Sequence, residues 1–411
     1  MFAALKNRDF SYLWMGQLVT RLGDGIHEIA LAWLVLELTG SAVSMGAILA
    51  VSVTPNLIFG LPGGVFVDRY NRKRIMVFSD MARALIVLVI PVAYSVGALQ
   101  LWMIFAVAFL TSTAEAFAGP ARMSTIPNLV EEEKLDPANS LMQITRAISS
   151  LFGLTLGGVV VATAGPANSF YLDSLSFFAS MVFMSMISYG DATRETLEGL
   201  CADVVNKVKE GVGYVAHDPF IRQLIVLASA INFFIAPINV IIPYFAKEVL
   251  GLEATIYGVM VACLSVGVFL GSMIIGNVTV HRGKSLGGGI LGAGLSLVLF
   301  SAFYVISSEL ILSTLLLVIL LSACLAGLGL STSFANVPIN TLLQRSTEDS
   351  KRGRVMSIVN MGTMAAMPIA YGFTGILLEH IGSIPLLFVI GGVTVVGAFV
   401  TLRSPEIMAA S

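Results

Sequence analysis

Four ionisable side chains lie close together in the first long apolar run of the chain, residues 11–38: Arg21, Asp24, His27 and Glu28. On a helix that turns about 100° per residue, positions 21, 24 and 28 lie within about 60° of one another and share one face. If this helix crosses a bilayer, a charge at its centre costs roughly 2.5–3.5 kcal/mol. That face must therefore point into the protein or into a water-filled cavity.

The charged face of this run is open to several interpretations. Asp24 or Glu28 could take up a proton or bind a cation, because two acids four residues apart do not both ionise at low cost in a low dielectric. Arg21 and Asp24 could instead form a buried ion pair that only holds helices in place. His27 fits either a packed, hydrogen-bonded histidine or a member of a proton relay.

Further ionisable residues lie in later apolar runs. Asp80 and Arg83 are three residues apart and can pair on one helix face. We expect Glu115, near the middle of the fourth run, to handle protons or cations, and Asp173 either to do the same or to bond to neighbouring backbone. Arg146 could pair with Glu115 or contact an anionic substrate. The second half has no acid at comparable depth, so we expect charge handling in the first half.

The elements that position these residues are membrane-spanning helices. Of the 411 residues, 56% are hydrophobic and only 12% are charged, and the mean hydropathy is +0.89. Soluble domains average about 45–50% apolar and about 25% charged residues. The apolar runs reach the roughly 20 residues that a spanning helix needs, whereas a membrane barrel would show short alternating segments. The composition predicts an all-α membrane protein.

The apolar runs predict twelve transmembrane helices. Their approximate cores are 11–38, 43–66, 75–96, 99–128, 138–164, 168–188, 220–249, 254–278, 284–306, 309–338, 353–380 and 384–403. We therefore expect an N-terminal six-helix bundle at 1–188, a cytoplasmic linker at 189–219 and a C-terminal six-helix bundle at 220–411. Valines at helical spacing predict an amphipathic surface helix in part of the linker.

Lysine and arginine residues set the orientation of such a protein, because they concentrate in cytoplasmic loops. Of the 23 basic residues, only Lys247 lies near the predicted outer face. We therefore expect both termini in the cytoplasm.

A dense charged stretch, residues 60–74, lies between the second and third apolar runs. A weaker copy occurs in the second half, where Gly276 corresponds to Gly64 and Val280 stands at the position of Asp68. Two related halves predict an internal duplication. In transporters such a duplication implies a central substrate path between two bundles.

The pattern of this stretch resembles the loop signature between spans two and three of the major facilitator superfamily; it reads Gly64-x-x-x-Asp68-Arg69-x-Asn71-Arg72-Lys73. Residues 38–42, 120–130 and 352–357 look like the drug:proton antiporter branch of that superfamily, which contains macrolide efflux pumps. The resemblance covers nearly the whole chain. It implies the major facilitator fold and transport by alternating access.

We expect Gly64, Asp68, Arg69, Arg72 and Lys73 to form a cytoplasmic gate. Asp68 can meet the positive N-terminal end of the eleventh span, and the cations can meet lipid headgroups or the acids of the following loop. The alternative is that the cations only orient the chain in the membrane.

Three positions depart from the family pattern. Asn71 stands where Gly is usual, and because Asn tolerates the left-handed backbone we expect a tight turn there. Thr111 occupies the place of a fourth-span arginine. The fifth-span pattern Gly-Pro-x-x-Gly-Gly lacks its proline, but Gly153, Gly157 and Gly158 still allow close helix packing.

The resemblance implies a secondary transporter of the cell (plasma) membrane that exports amphipathic or cationic small molecules in exchange for protons, and not an enzyme. Asp24, Glu28 and Glu115 are the candidates for proton coupling and recognition of substrate charge, with Arg21, Arg146 and Asp173 as further candidates. We expect a monomer with no cofactor, whose partners are the substrate, protons and membrane lipids. The chain has no ATP-binding Gly-x-x-x-x-Gly-Lys-Ser/Thr motif and no basic groove for nucleic acid.

Three alternatives stay open at this point. A divalent metal exporter resembling ferroportin would use Asp24, His27 and Glu28 as ligands. A lipid or lysolipid transporter would suit the apolar, Met-rich and Gly-rich second half. A membrane receptor or scaffold that transports nothing would have less reason to keep acids at depth.

Overall fold

The structure is a computed structural model that describes residues 5–131, 134–188, 213, 215, 217–277, 281–310, 313–347 and 352–409. Within these ranges the side chains of some residues, among them Asp68, Gly276 and 352–358, are not described. The described residues form helices and no strands. The expected amphipathic helix in the linker, the side chain of Asp68 and its counterpart Val280 therefore lie outside the described residues.

Apart from the stretch between Ser185 and Pro219, consecutive helices are joined by short connections. Their bounds are α1 (Arg8–Thr39), α2 (Ala42–Arg69), α3 (Arg72–Val87), α4 (Val89–Ser95), α5 (Leu101–Leu129), α6 (Leu135–Ala164), α7 (Pro166–Ser185), α8 (Pro219–Ile235), α9 (Ile238–Tyr244), a π-helical turn (Phe245–Val249), α10 (Ala254–Asn277), α11 (Arg282–Leu310), α12 (Thr314–Arg345), α13 (Arg352–Ile381), α14 (Ser383–Arg403) and α15 (Pro405–Ala409).

Ten helical stretches in the described part of the chain are long and apolar enough to cross a membrane. The prediction of an all-α membrane protein is confirmed for the described residues, which include ten such helical stretches and no strand. Helices α1 and α7, with 32 and 20 residues, are also long enough but are not among the ten. They are the more polar helices, because α1 carries Arg21, Asp24 and Glu28 and α7 carries Asp173 and several serines.

Most predicted boundaries agree with the structure within a few residues, but the third, seventh and tenth spans differ. The third consists of α3 and α4, separated at Leu88. The tenth was expected at 309–338, whereas α12 begins at Thr314, where the hydroxyl of Ser313 accepts a hydrogen bond from the amide of Leu316 at 3.4 Å. Hydropathy alone cannot locate such a start, because the residues on both sides are equally apolar.

The chain divides into two compact units. The first contains Met1–Thr39 and Ile48–Lys207, and the second contains Gly40–Ala47 and Val208–Ser411. In the first unit, α1 packs against α6 and α7, and α3 packs against α5 and α7. Helix α7 presents a face of small buried residues, among them Ser169, Ser176 and Ser180, which lets its neighbours approach closely.

In the second unit, α12 packs against α10 and α11, α11 packs against α14, and α8 packs against α13. Glycines sit where α10 and α12 cross: a Cβ placed on Gly271 would lie 2.6 Å from the carbonyl oxygen of Leu330. The seventh predicted span is interrupted between α8 and α9, where Pro237 lacks the amide hydrogen that a continuous helix needs.

The α1–α6 contact of the first unit also depends on glycine. A Cβ on Gly25 would lie 2.5 Å from the carbonyl carbon of Gly153, and a Cβ on Gly157 would lie 2.9 Å from the carbonyl oxygen of Gly25. Gly158 is buried on the same helix. The closely spaced backbones hold the charged part of α1 against the body of the unit.

We predict that Gly25→Ala destabilises the protein, because backbone atoms that cannot move aside meet the added methyl group. Overpacking of this kind costs roughly 1–3 kcal/mol. Thermal unfolding of the purified protein in detergent measures the loss. The matched control is Gly60→Ala, because Gly60 lies in helix α2 with no atom within 4 Å of the added Cβ. An equal melting temperature for the two variants would contradict the prediction.

Candidate functional site

The charged face of α1 lies inside the first unit and meets arginines from two other helices. Asp24 lies 3.7 Å from Arg21 on its own helix, between Oδ2 and Nη1. Its other oxygen accepts a hydrogen bond of 3.1 Å from Arg83 of α3. The expected Arg21–Asp24 pair is therefore present, and a second cation holds the same carboxylate.

Arg83 is the centre of the site. Its Nη1 donates to Glu115 of α5 at 2.9 Å while its Nη2 donates to Asp24, so one guanidinium group joins α1, α3 and α5. The guanidinium carbon also lies 3.9 Å from the ring centroid of Phe177 on α7, a cation–π contact. Arg83 is almost fully buried. A buried arginine is stable only when its charge is compensated, and here two carboxylates and a ring do this.

Arg122, also on α5, binds the second oxygen of Glu115. Its Nη1 lies 3.8 Å from Oδ1 of Asp80 on α3. Asp80 is completely buried, and its Oδ2 accepts a hydrogen bond of 2.6 Å from Ser180 of α7. The network thus alternates in sign from Arg21 through to Asp80.

Two expected pairings are corrected by this network. Asp80 and Arg83 were expected to pair with each other along α3, but Arg83 donates to Asp24 and Glu115. Arg146 was a suggested partner of Glu115, but Glu115 binds Arg83 and Arg122. Arg146 is exposed on α6. Arg83 thus binds acids on two other helices, and Glu115 binds one arginine of α3 and one of its own helix.

His27 and Asp173 form a second pair. Nδ1 of His27 lies 2.6 Å from Oδ2 of Asp173, which joins α1 to α7. Asp173 is fully buried, and its Oδ1 has no hydrogen-bond partner among the described residues. The imidazole ring makes an edge contact with Phe170 at 5.2 Å between centroids. His27 keeps 20% of its side chain exposed.

These groups line a cavity of about 260 Å³ in the first unit. Its polar lining is formed by Asp24, His27, Glu28, Arg83 and Glu115, and its apolar lining includes Leu31, Leu49 and Phe177. Thr111, at the position where a fourth-span arginine is usual, also lines it. Glu28 is exposed, and no ion pair joins it to any other described residue.

The cavity does not assemble the donors that the metal alternative needs. Over the described residues, no group of three or more His, Cys, Asp or Glu side chains is placed to hold a metal ion. One ring nitrogen of His27 already contacts Asp173, and Asp24 is held by two arginines. An imidazole that bonds a carboxylate through one nitrogen keeps its other nitrogen available to a metal, so of the three candidate ligands only Asp24 is held by arginines.

The charged stretch at the end of α2 connects three helices of the first unit. Asn71 was expected to adopt a left-handed turn, and this is wrong: its φ is −62° and its ψ is 110°. Its side chain instead caps α3 by accepting a hydrogen bond of 2.9 Å from the amide of Arg74. Arg72 donates to the carbonyl of Ser124 at 3.0 Å, and Lys73 donates to the carbonyl of Ile187 at 2.6 Å.

Sequence reasoning missed the role of Arg83, Arg122 and Phe177 in this site. Arg122 follows Glu115 by seven residues along the chain, or two turns of helix. A seven-residue spacing returns to the same face of a helix, which was the available signal for an Arg122–Glu115 contact. No signal along the chain could show that Phe177 lies over Arg83.

We predict that Arg122→Gln destabilises the protein strongly, because Glu115 and Asp80 then lose a buried cation. Breaking a buried ion pair on one side costs roughly 3–5 kcal/mol. The double variant Arg122→Gln/Glu115→Gln should recover part of this loss, with a coupling of about 0.5–3 kcal/mol. Unfolding of the two single variants and the double variant, measured in one detergent, forms the cycle. Additive effects would show that the contact contributes nothing to stability.

Comparison with known proteins identifies the family. The sequence profile of the transmembrane secretion effector family, a branch of the major facilitator superfamily, matches residues 1–406. Macrolide efflux protein A of Streptococcus pyogenes is 23% identical over 91% of this chain and 90% of its own length. The multidrug efflux pump Tap of Mycolicibacterium fortuitum is 27% identical over 88% of this chain and 87% of its own length.

A solved structure of a bacterial homologue of the iron transporter ferroportin, in an inward-facing state, superposes with a TM-score of 0.72. The two chains are 14% identical, and the match covers 97% of this chain and 99% of the other. At this identity the likeness concerns the fold alone. The resemblance drawn from the motif is confirmed: the chain belongs to the transmembrane secretion effector family of the major facilitator superfamily, and it is a multi-pass membrane transporter, not an enzyme.

Proposed function

We propose that this protein exports amphipathic or cationic small molecules from the cytoplasm by proton antiport with alternating access. The cavity that contains Glu28 is the proposed site of substrate charge recognition. Asp24, Glu115, Asp173, Arg21 and Arg146 are the other candidates that the sequence offers for proton coupling or charge recognition. The transporter needs no cofactor, because the proton gradient supplies the driving force.

The observation that carries this proposal is the charge balance of the cavity. Asp24 and Glu115 each contact two arginines, so their charges are compensated within the protein. Glu28 lines the same cavity, is exposed and forms no ion pair with a described residue. An uncompensated carboxylate beside Leu31, Leu49 and Phe177 suits a ligand that carries one positive charge on an apolar body.

The named relatives support the same class of substrate. Macrolide efflux protein A and the multidrug efflux pump Tap match most of this chain, and their names assign them the export of drugs. Macrolides and many other drugs are bulky amphipathic molecules, and several carry a basic amine. Glu28 would attract the amine of such a molecule, and Leu31, Leu49 and Phe177 would contact the apolar part beside it.

We propose twelve transmembrane helices in two six-helix bundles, formed by residues 1–188 and 220–411, with the linker 189–219 and both termini in the cytoplasm. The ten apolar stretches together with α1 and α7 make up this number. The distribution of lysine and arginine supports the orientation. The bacterial relatives support a location in the plasma membrane, and we propose a monomer surrounded by lipid.

The cytoplasmic gate remains part of this proposal. Gly64, Asp68, Arg69, Arg72 and Lys73 are assigned to it by the family resemblance. The hydrogen bonds of Arg72 and Lys73 to backbone carbonyls tie the start of α3 to the ends of α5 and α7. Gates of this kind need a rigid frame on one side. Gly153, Gly157 and Gly158 are assigned the close packing of α6 that holds α1 in place.

We predict that Glu28→Gln weakens the binding of a permanent cation and spares that of a neutral drug of similar size. A hydrogen bond or ion pair to a charged group contributes roughly 1.5–3 kcal/mol, so ethidium should bind about tenfold to a hundredfold more weakly. Fluorescence titration of the purified protein measures binding. Proteoliposomes with an acidic lumen measure uptake of the same dye, because antiport carries the cation in as protons leave.

The matched control is Glu37→Gln, an acid on the same helix that does not line the cavity. Absence of gradient-driven ethidium uptake by the unmodified protein would overturn the proposed proton antiport. Gradient-driven movement of Mn²⁺ or Fe²⁺, detected with a metal-quenched dye, would favour a metal exporter. Movement of a fluorescent lysolipid would favour a lipid transporter.

A further inference from the structure

We propose that the buried His27–Asp173 pair is the proton-carrying site of the transporter. The inference rests on the proposed proton antiport and assigns its proton to a particular site. The sequence suggested Asp24, Glu28 and Glu115 for proton coupling and recognition of substrate charge, and the geometry points to a different pair for the proton.

Arginines hold or face three of the acids in the first unit. Arg83 binds Asp24 and Glu115, and Arg122 binds Glu115 and faces Asp80. Arginine stays protonated in proteins, so these cations cannot release their charge. Protonating one of the three carboxylates would leave a buried guanidinium group short of a partner, which is costly. The arginine network is therefore suited to a permanent structural charge.

His27 and Asp173 are both able to change charge, and they are 2.6 Å apart. No arginine or lysine is within ion-pair distance of Asp173 among the described residues, so histidine is its partner. Adding a proton turns a neutral imidazole beside a carboxylate into an ion pair. Removing the proton restores a net charge of minus one without breaking an arginine contact.

A proton can reach the pair from the cavity through His27. Asp173 is fully buried, but His27 lines the cavity with 20% of its side chain exposed. A proton that enters from the cavity meets the imidazole first and the carboxylate behind it. The unpartnered Oδ1 of Asp173 gives the carboxylate one free acceptor position.

The charged groups around the pair come from three helices. On α1, Asp24 and Glu28 flank His27 in sequence and line the same cavity. From α3, Arg83 approaches, and on α5 Glu115 is compensated by Arg83 and Arg122. Helix α6 meets α1 here through Gly153 and Gly157, which carry no charge. Helix α7 contributes Phe170 and Phe177 beside Asp173.

This arrangement explains how proton and substrate can compete. A proton on the pair removes one negative charge from the wall that also holds Glu28, and so weakens the attraction of a cation to the cavity. A cation bound at Glu28 makes a further positive charge on His27 unfavourable. Each therefore expels the other without any direct contact, as antiport requires.

The test uses full-length protein in proteoliposomes, with ethidium as the probe and with Asp173→Asn and His27→Gln as variants. Uptake driven by an acidic lumen is compared with counterflow, the exchange of labelled for unlabelled ethidium at equal pH. We expect both variants to lose the acceleration by the gradient. His27→Gln, which keeps the charge of Asp173, should keep counterflow, whereas Asp173→Asn, which has the charge of the protonated pair, should need a higher ethidium concentration for counterflow. The control Asp9→Asn lies on the same helix outside the cavity, where Asp9 accepts a hydrogen bond from the amide of Ser188. It should keep both activities.

The outcomes separate this inference from the function on which it rests. If the unmodified protein shows no acceleration by the gradient, proton antiport itself is wrong. If it does and both variants retain the acceleration, antiport stands and the pair does not carry the proton. Loss of ethidium binding together with counterflow in both variants would show a binding or structural role instead. Should Asp173→Asn fail to fold, His27→Gln decides, because glutamine can still donate a hydrogen bond to Asp173.

Discussion

The first unit depends on the compensation of arginine charges that are buried away from water. The guanidinium group of Arg83 touches carboxylates from α1 and α5 and the ring of Phe177 on α7, so one side chain holds four helices in register. In a low dielectric an uncompensated guanidinium costs several kcal/mol. The positions of Asp24 and Glu115 are therefore set by Arg83 as much as by their own helices.

The arginine network distinguishes two kinds of acid in the first unit. Asp24, Glu115 and Asp80 belong to the arginine network, whereas Glu28 and Asp173 do not. An acid held by arginine keeps its charge and fixes the geometry. In the function and the proton site that we propose, Glu28 exchanges its counter-charge with a ligand, and the His27–Asp173 pair exchanges it with a proton. A transporter that exchanges a cation for a proton needs both kinds.

The polar character of α1 and α7 follows from the ionisable and small polar residues that these two helices bring into the first unit. These helices are too polar to count among the ten apolar stretches, yet they bury much of their surface inside the first unit. Small residues make this possible, because glycines let α1 approach α6 and serines let it approach α7. Close backbone packing and charge compensation thus support each other.

The sequence by itself determined the class of protein, the family and nearly all helix positions, because long apolar runs and the charged stretch at 60–74 are local signals. It also indicated Asp24, Glu28, Glu115 and Asp173 as candidate functional residues, because ionisable residues are rare in apolar runs.

Only the tertiary structure decided which charges are paired. Arg83 turned out to bind residues on two other helices, and His27 bound a residue 146 positions away along the chain. Asn71 proved to be a helix cap where a left-handed turn was expected. Spacing along one helix specifies which side chains share a face. The distance between side chains on different helices depends on how the helices pack, and the energy of an ion pair depends on that distance.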